Sequence, residues 1–184
     1  MAGNPARGLE RLSGIEAVVA AYAGTRAGHA AFERALTALR RALRGARLWR
    51  LVPADALPDG AGGDGLIVYP TPGFAAAAAR TAALRTVDAL AACGAQAALV
   101  FAERGFAPYV PAYLCYLAGI GYRAGIEQEF GGAVLSPAVR IPPQLDGVER
   151  HLALLAAAGL APEPDRDLAA PPPASTNEGY GCDR

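Results

Sequence analysis

Apolar and polar positions fall in blocks along this chain, and the period within the blocks changes from one to the next. Ile15 to Ala23, IEAVVAAYA, is nearly unbroken apolar sequence, the pattern of a strand buried on both faces. Gly24 to Gly28, GTRAG, turns the chain. Phe32, Leu36, Leu39 and Leu43 then recur at helical spacing, while Arg34, Arg40, Arg41 and Arg44 take other positions. Arginines near the helix end suit its negative pole, and Gly45 stops it. Ala46 to Val52 alternates as a second strand. Strand, Gly-rich turn, helix and strand make a βαβ crossover.

The alternation continues. Asp55 to Gly65 is a loop of Asp, Gly and Pro, and Leu66 to Tyr69 is a short apolar strand. Pro72-Gly73 leads into an Ala-rich helix, about Phe74 to Ala92, with Leu84, Val87 and Leu90 on one face. Ala97 to Ala102, AALVFA, is the next buried strand. Pro108 to Ala118 is an apolar helix with proline in its first turn, where the missing N–H costs little. Tyr122 to Gly125 is a strand, and Val134 to Ile141 a candidate for one more. Leu145 to Ala158 is a last helix that aligns Val148, Leu152 and Leu155. Strands alternating with helices of this length predict an α/β fold, a Rossmann-like doubly wound parallel sheet over residues 15–160. A polar leader, 1–14, is expected before it. A Pro-rich tail or interdomain linker, 161–184, is expected after it, too polar to fold alone.

Charge and composition narrow the function. Acidic and basic residues balance at 17 each, which gives no basic footprint for nucleic acid and no pull toward anionic membranes. Gly105 to Tyr122 carries one charge-free stretch near spanning length, but Pro108, Pro111, Gly119 and Gly121 break it, so no transmembrane segment is expected. Residues 1–14 hold no apolar signal core. The three cysteines form no CxxC and no metal-like spacing. A reduced, cytoplasmic location follows, with at most peripheral contact at the inner membrane.

Ligands of a doubly wound sheet bind outside the carboxyl ends of its strands. Gly24, Thr25, Arg26 and Gly28 lie in the first such loop, where glycines admit close approach and the helix end offers free N–H groups. The loop is neither GxGxxG nor a Walker loop. His29 follows on the first helical turn. The positive helix end disfavours imidazolium, so a neutral, proton-accepting ring is expected, either a general base or a histidine with no task. Arg26 is either a grip for an anion or a solvated loop residue. The second candidate loop, YRAGIEQEFGG, supplies Arg123, Glu127, Glu129, Gly131 and Gly132, which are expected to face the same crevice. Two carboxylates there suit sugar hydroxyls, or form an ordinary solvated loop. His151, beside Arg150, is expected at the surface.

Three segments resemble glycosyltransferase family 9, the bacterial ADP-heptose:lipopolysaccharide heptosyltransferases. Ile15 to Pro53 is similar to the family's opening strand, loop, helix and second strand. AYLCYLAGIGYRAGIEQEFGGAVLS, Ala112 to Ser136, resembles its helix-to-strand junction and Gly-rich loop, and Val148 to Leu160 resembles the helix leading out of its N-terminal domain. The resemblance implies the acceptor-side half of a GT-B enzyme: two Rossmann-like domains about a cleft and inverting transfer from a nucleotide-sugar. It implies neither metal nor cofactor. The implied partners are a sugar or lipid-core acceptor and a donor-binding domain or separate chain. His29 stands where the family carries its basic aspartate, and the donor half is expected to be missing, which makes half an enzyme the expectation. Two other readings stand beside it. One is a non-catalytic binding or scaffold module derived from the same fold, and the other an unrelated Rossmann-like domain that binds a small nucleotide.

Overall fold

Residues Ala17–Ala23 are buried along their whole length because they form the central strand of a sheet covered on both faces. The computed structural model describes residues 12, 14–57, 65–71, 77–127 and 134–160. The elements run β1 Ala17–Ala23, α1 His29–Ala42, β2 Arg47–Pro53, β3 Leu66–Tyr69, α2 Ala77–Ala92, β4 Ala97–Ala102, α3 Tyr109–Leu117, β5 Tyr122–Ile126, β6 Ala138–Val139 and α4 Gly147–Ala157. The six strands are ordered β3-β2-β1-β4-β5-β6, and every strand pair is parallel. This is a Rossmann-like doubly wound sheet, as the alternation of elements predicts.

The period of two along β1 and β4 sorts the core into two layers. Val18, Ala20 and Tyr22 of β1 join Leu99 and Phe101 of β4 beneath α1 and α4, with Phe32, Leu36, Leu39, Leu154 and Leu155. Val19, Ala21, Ala98 and Val100 face the other way, onto Leu90 of α2 and Leu114 and Cys115 of α3. Leu12, placed by the sequence in a polar leader, is buried in the α1–α4 layer.

Several sequence expectations shift in the structure. β6 covers only Ala138–Val139 of the expected Val134 to Ile141, since Pro137 has no N–H to give a ladder and Pro142 and Pro143 follow. In α2, Leu84 is 64% exposed, and the buried stripe is Ala83, Thr86 and Leu90. An Ala-rich helix has no unique apolar face, so neighbours choose it. In α4 the buried positions are Arg150, His151, Leu154 and Leu155, one step round from the expected stripe. The charge-free stretch resolves into a loop, the short α3, a turn and β5. Among the described residues no helix is long and apolar enough to cross a membrane. The segments 58–64, 72–76, 128–133 and 161–184 lie outside the described residues, and with them the expected tail and the start of the Ala-rich helix.

Candidate functional site

The strand order reverses between β1 and β4, because β1 leads through α1 to β2 on one side and β4 through α3 to β5 on the other. Chains diverge there and leave a crevice at the carboxyl ends. The Glu103 N–H donates to the Ala23 carbonyl at 2.9 Å, which ties the two strand ends together.

Glu103, the first residue after β4, is the centre of the site. Its Oε2 accepts from the Thr25 N–H at 3.2 Å and from the Thr25 hydroxyl at 3.1 Å. Its Oε1 lies 2.5 Å from the Tyr22 hydroxyl, which is also 2.9 Å from the Thr25 carbonyl. Thr25 Oγ1 in turn accepts from the Gly28 N–H at 3.2 Å. A Cβ at Gly28 would coincide with Glu103 Oε1, and one at Gly24 would lie 2.5 Å from the Tyr22 hydroxyl. The two glycines are therefore needed for space. Helix α1 has no acidic residue in its first turn. Glu103 supplies the missing negative charge from a neighbouring strand, in the position where the helix end would otherwise favour a bound anion. Burial, with Glu103 beside it, pushes the Tyr22 hydroxyl far above its usual titration range.

His29 begins α1 and is only 6% exposed. Its Nε2 lies 3.4 Å from Glu33 Oε1, which is also 3.4 Å from Arg50 Nη1. Its Nδ1 is enclosed without a hydrogen-bond partner. Burial lowers its pKa and outweighs Glu33, which favours the neutral ring. It packs against Tyr22 and Phe32 with ring centres 5.8 Å and 5.6 Å away. Arg26 reaches across the loop, its Nε donating to the Leu57 carbonyl at 2.9 Å.

His151 is not at the surface. It is 0% exposed, edge-on to Phe101 at 5.4 Å and to Tyr22 at 6.3 Å. Both of the histidines in this chain therefore converge on Tyr22, one from α1 and one from α4. Neither ring nitrogen of His151 makes a hydrogen bond. The Ala31 backbone favours the charged ring without meeting hydrogen-bond geometry, and burial dominates to lower the pKa.

The second candidate loop divides between the two ends of the sheet. Arg123 lies near the amino end of β5, opposite Ala98, and so does not share the crevice with the first loop. Its guanidinium donates to the carbonyls of Ile120, Gly121 (2.9 Å) and Val134 (2.7 Å) and sits 5.2 Å from the Tyr116 ring centre. Arg123→Met is expected to cost about 2–4 kcal/mol by stranding these acceptors, measured by urea unfolding. Ligand contacts at the first loop should not change. Glu127 does lie at the carboxyl end of β5, where its Oε2 pairs with Arg140 Nε at 2.8 Å. Glu129, Gly131 and Gly132 lie outside the described residues.

Glu103 and Tyr22 are the residues that sequence reasoning passed over. Glu103 had a visible signal, since it is the first charge after the apolar run AALVFA, at a strand's carboxyl end. Among the described residues no group of three His, Cys, Asp or Glu side chains is placed to hold a metal ion. Cys93 and Cys115 are buried and free, and burial pushes the Cys115 thiol up to about 12, which leaves it unreactive.

Fold and site together define a Rossmann-like doubly wound domain whose switch-point loop is closed by its own carboxylate. No family model, no curated protein and no solved structure matches the chain.

Proposed function

We propose that this domain is the acceptor-binding half of a glycosyltransferase-like protein, and that it holds sugar hydroxyls at the carboxyl ends of β1 and β4. The observation that carries this reading is the Glu103 carboxylate, fixed by Thr25 and Tyr22 beside the turn of the family-9-like segment. Carboxylates and hydroxyls of this kind match the hydrogen-bonding of sugar hydroxyl groups. His29 holds the place of the base in the resemblance, but it is covered. Glu103 is the better-placed proton acceptor. In a completed enzyme it would take the acceptor hydroxyl proton as that oxygen bonds the anomeric carbon and the nucleoside diphosphate departs with its bonding pair. A donor-binding domain or chain is the partner this reading requires, because one wall cannot exclude water or align two substrates.

A titration with inner-core oligosaccharides of lipopolysaccharide, followed by amide NMR, tests the binding part. Saturable shifts at Gly24, Thr25 and Glu103 are expected, and their loss in Glu103→Ala. Silence at these amides would sink the reading.

A second reading, a non-catalytic binding or scaffold module of the same descent, is favoured by two observations. His29 is buried, and Glu103 is held by several donors at once. Sugar binding that persists without turnover, when a donor domain and nucleotide-sugar are supplied, would select it.

A further inference from the structure

Helices α1 and α4 start side by side on one face of the sheet. A Cβ at Gly147 would lie 3.9 Å from that of Ala31. The amino end of α1 already holds the Glu103 carboxylate. The amino end of α4 holds the opposite arrangement. Arg150, in its first turns, is 6% exposed. Its Nε donates to the Ala102 carbonyl at 3.0 Å, the last residue of β4. Among the described residues the guanidinium makes no further hydrogen bond and no ion pair. Its η N–H groups thus have no protein acceptor among the described residues.

A guanidinium keeps its charge inside a protein, and a buried charge without a counter-ion is costly. Here the neighbourhood adds to the cost. Burial, and then Arg104, disfavour the Arg150 charge, and only Asp146 opposes them. Asp146 is committed elsewhere. Its Oδ1 lies 3.3 Å from Arg104 Nε, and it makes no cap to α4 although it occupies the capping position. Arg104 also reaches the Leu145 carbonyl at 3.5 Å. Two guanidinium groups and an uncapped helix end thus meet at the carboxyl end of β4. The nearby acids are Asp146, Glu149 in the first turn of α4, and Glu103, which lies between Ala102 and Arg104 in the chain and is held by Thr25 and Tyr22.

We propose that Arg150, Arg104 and the amino end of α4 form a binding site for an oxyanion, a carboxylate or phosphoryl group. The Arg150 fork offers paired donors to two oxygens, and the first N–H groups of α4 point the same way as its dipole. An incoming oxyanion takes Arg104 from Asp146. That exchange costs little, because the side chains of the pair are 55% and 69% exposed. The site stands apart from the sugar reading, since it uses neither Glu103 nor the first loop.

The test is a titration of the full chain with inorganic phosphate, and separately with acetate, at constant ionic strength. Arginine Nε–Hε signals and backbone amides are followed by NMR. Saturable shifts are expected at Arg150, Arg104 and the Gly147 to Glu149 amides. Arg104→Met should weaken the response by about tenfold or more, the loss of one charge-assisted contact. Because Arg104 is exposed, this variant avoids disturbing the core as Arg150→Met would. Arg34→Met, on the exposed face of α1, should bind as the wild type does. A response to phosphate alone identifies a phosphoryl ligand, and a response to acetate alone a carboxylate one. The proposal is overturned if neither ion shifts Arg150, or if Arg34→Met weakens binding as much as Arg104→Met.

Discussion

Gly28→Ala is expected to destabilise the domain by about 2–4 kcal/mol, although the backbone at position 28 would accept alanine. Its φ of −79° and ψ of −8° are ordinary right-handed values. Taken alone, exchanging glycine for alanine there would stabilise by about 0.4–1 kcal/mol through the unfolded chain. Space reverses the sign. The new Cβ would coincide with Glu103 Oε1 and lie 2.8 Å from the Tyr22 hydroxyl. The carboxylate can swing away, but it then abandons the Thr25 N–H, the Thr25 hydroxyl and Tyr22. Tyr22 cannot move, because its ring stacks on Phe32 at 4.8 Å within the core. Eviction also moves a negative charge away from the amino end of α1. A double-mutant cycle isolates the cause. In a Glu103→Ala background, Gly28→Ala should cost much less, only the 2.8 Å approach to the Tyr22 hydroxyl remaining, with a coupling of about 2 kcal/mol or more between the sites. Additive losses in urea unfolding would show that Glu103 does not occupy this space.

His151→Phe should stabilise the protein at pH 7 by about 1–2 kcal/mol and flatten its response to acid. Both nitrogens of His151 are enclosed without hydrogen bonds, between Phe101 and Tyr22, so phenylalanine keeps the edge-to-face contacts and removes the unsatisfied groups. The sign of the acid response follows from burial. His29 and His151 both have folded pKa values below the usual 6.5, with desolvation as the largest cause in each case. For His29, Arg50 adds to the shift while Glu33 and Glu103 oppose it. For His151, Arg150 adds to it while the Ala31 backbone and Glu103 oppose it. As pH falls below about 6.5 the unfolded chain takes up protons that the folded chain refuses. Stability is therefore full above that pH and declines below it, until the folded rings titrate as well. Urea midpoints from pH 8 to pH 4.5 measure this. A His151→Phe protein that is weaker at pH 7, or that keeps the wild-type pH slope, would show that the ring is satisfied in a way the geometry does not reveal.

The strands were the most legible part of the fold. Leu66–Tyr69 and Ala97–Ala102 lie where the apolar runs place them, and Ala97–Ala102 is buried throughout because a strand covered on both faces needs uninterrupted apolar sequence. Helix faces were less legible. The stripe Phe32, Leu36 and Leu39 is clear in α1, where arginines mark the solvent side. In α2 alanine fills both sides, so no sequence rule separates Leu84 from Leu90. The site was only half legible. The strand-end rule picked out Gly24 to His29, but it could not tell which of these side chains reach the crevice. His29 points into the core, and the group that fills the loop comes from residue 103, at the end of another strand.

Alternating strands and helices, and hence a parallel sheet, are written in the local pattern of residues. Period and turn chemistry act between near neighbours and can be read locally. Tertiary structure alone decided which charges meet. The Glu103 carboxylate lies against Gly28, and Arg150 against the end of β4, only because the β1–β4 switch brings distant segments of chain side by side. It decided too that both histidines are buried. Burial of a polar group depends on every element packed over it, and no local pattern records that.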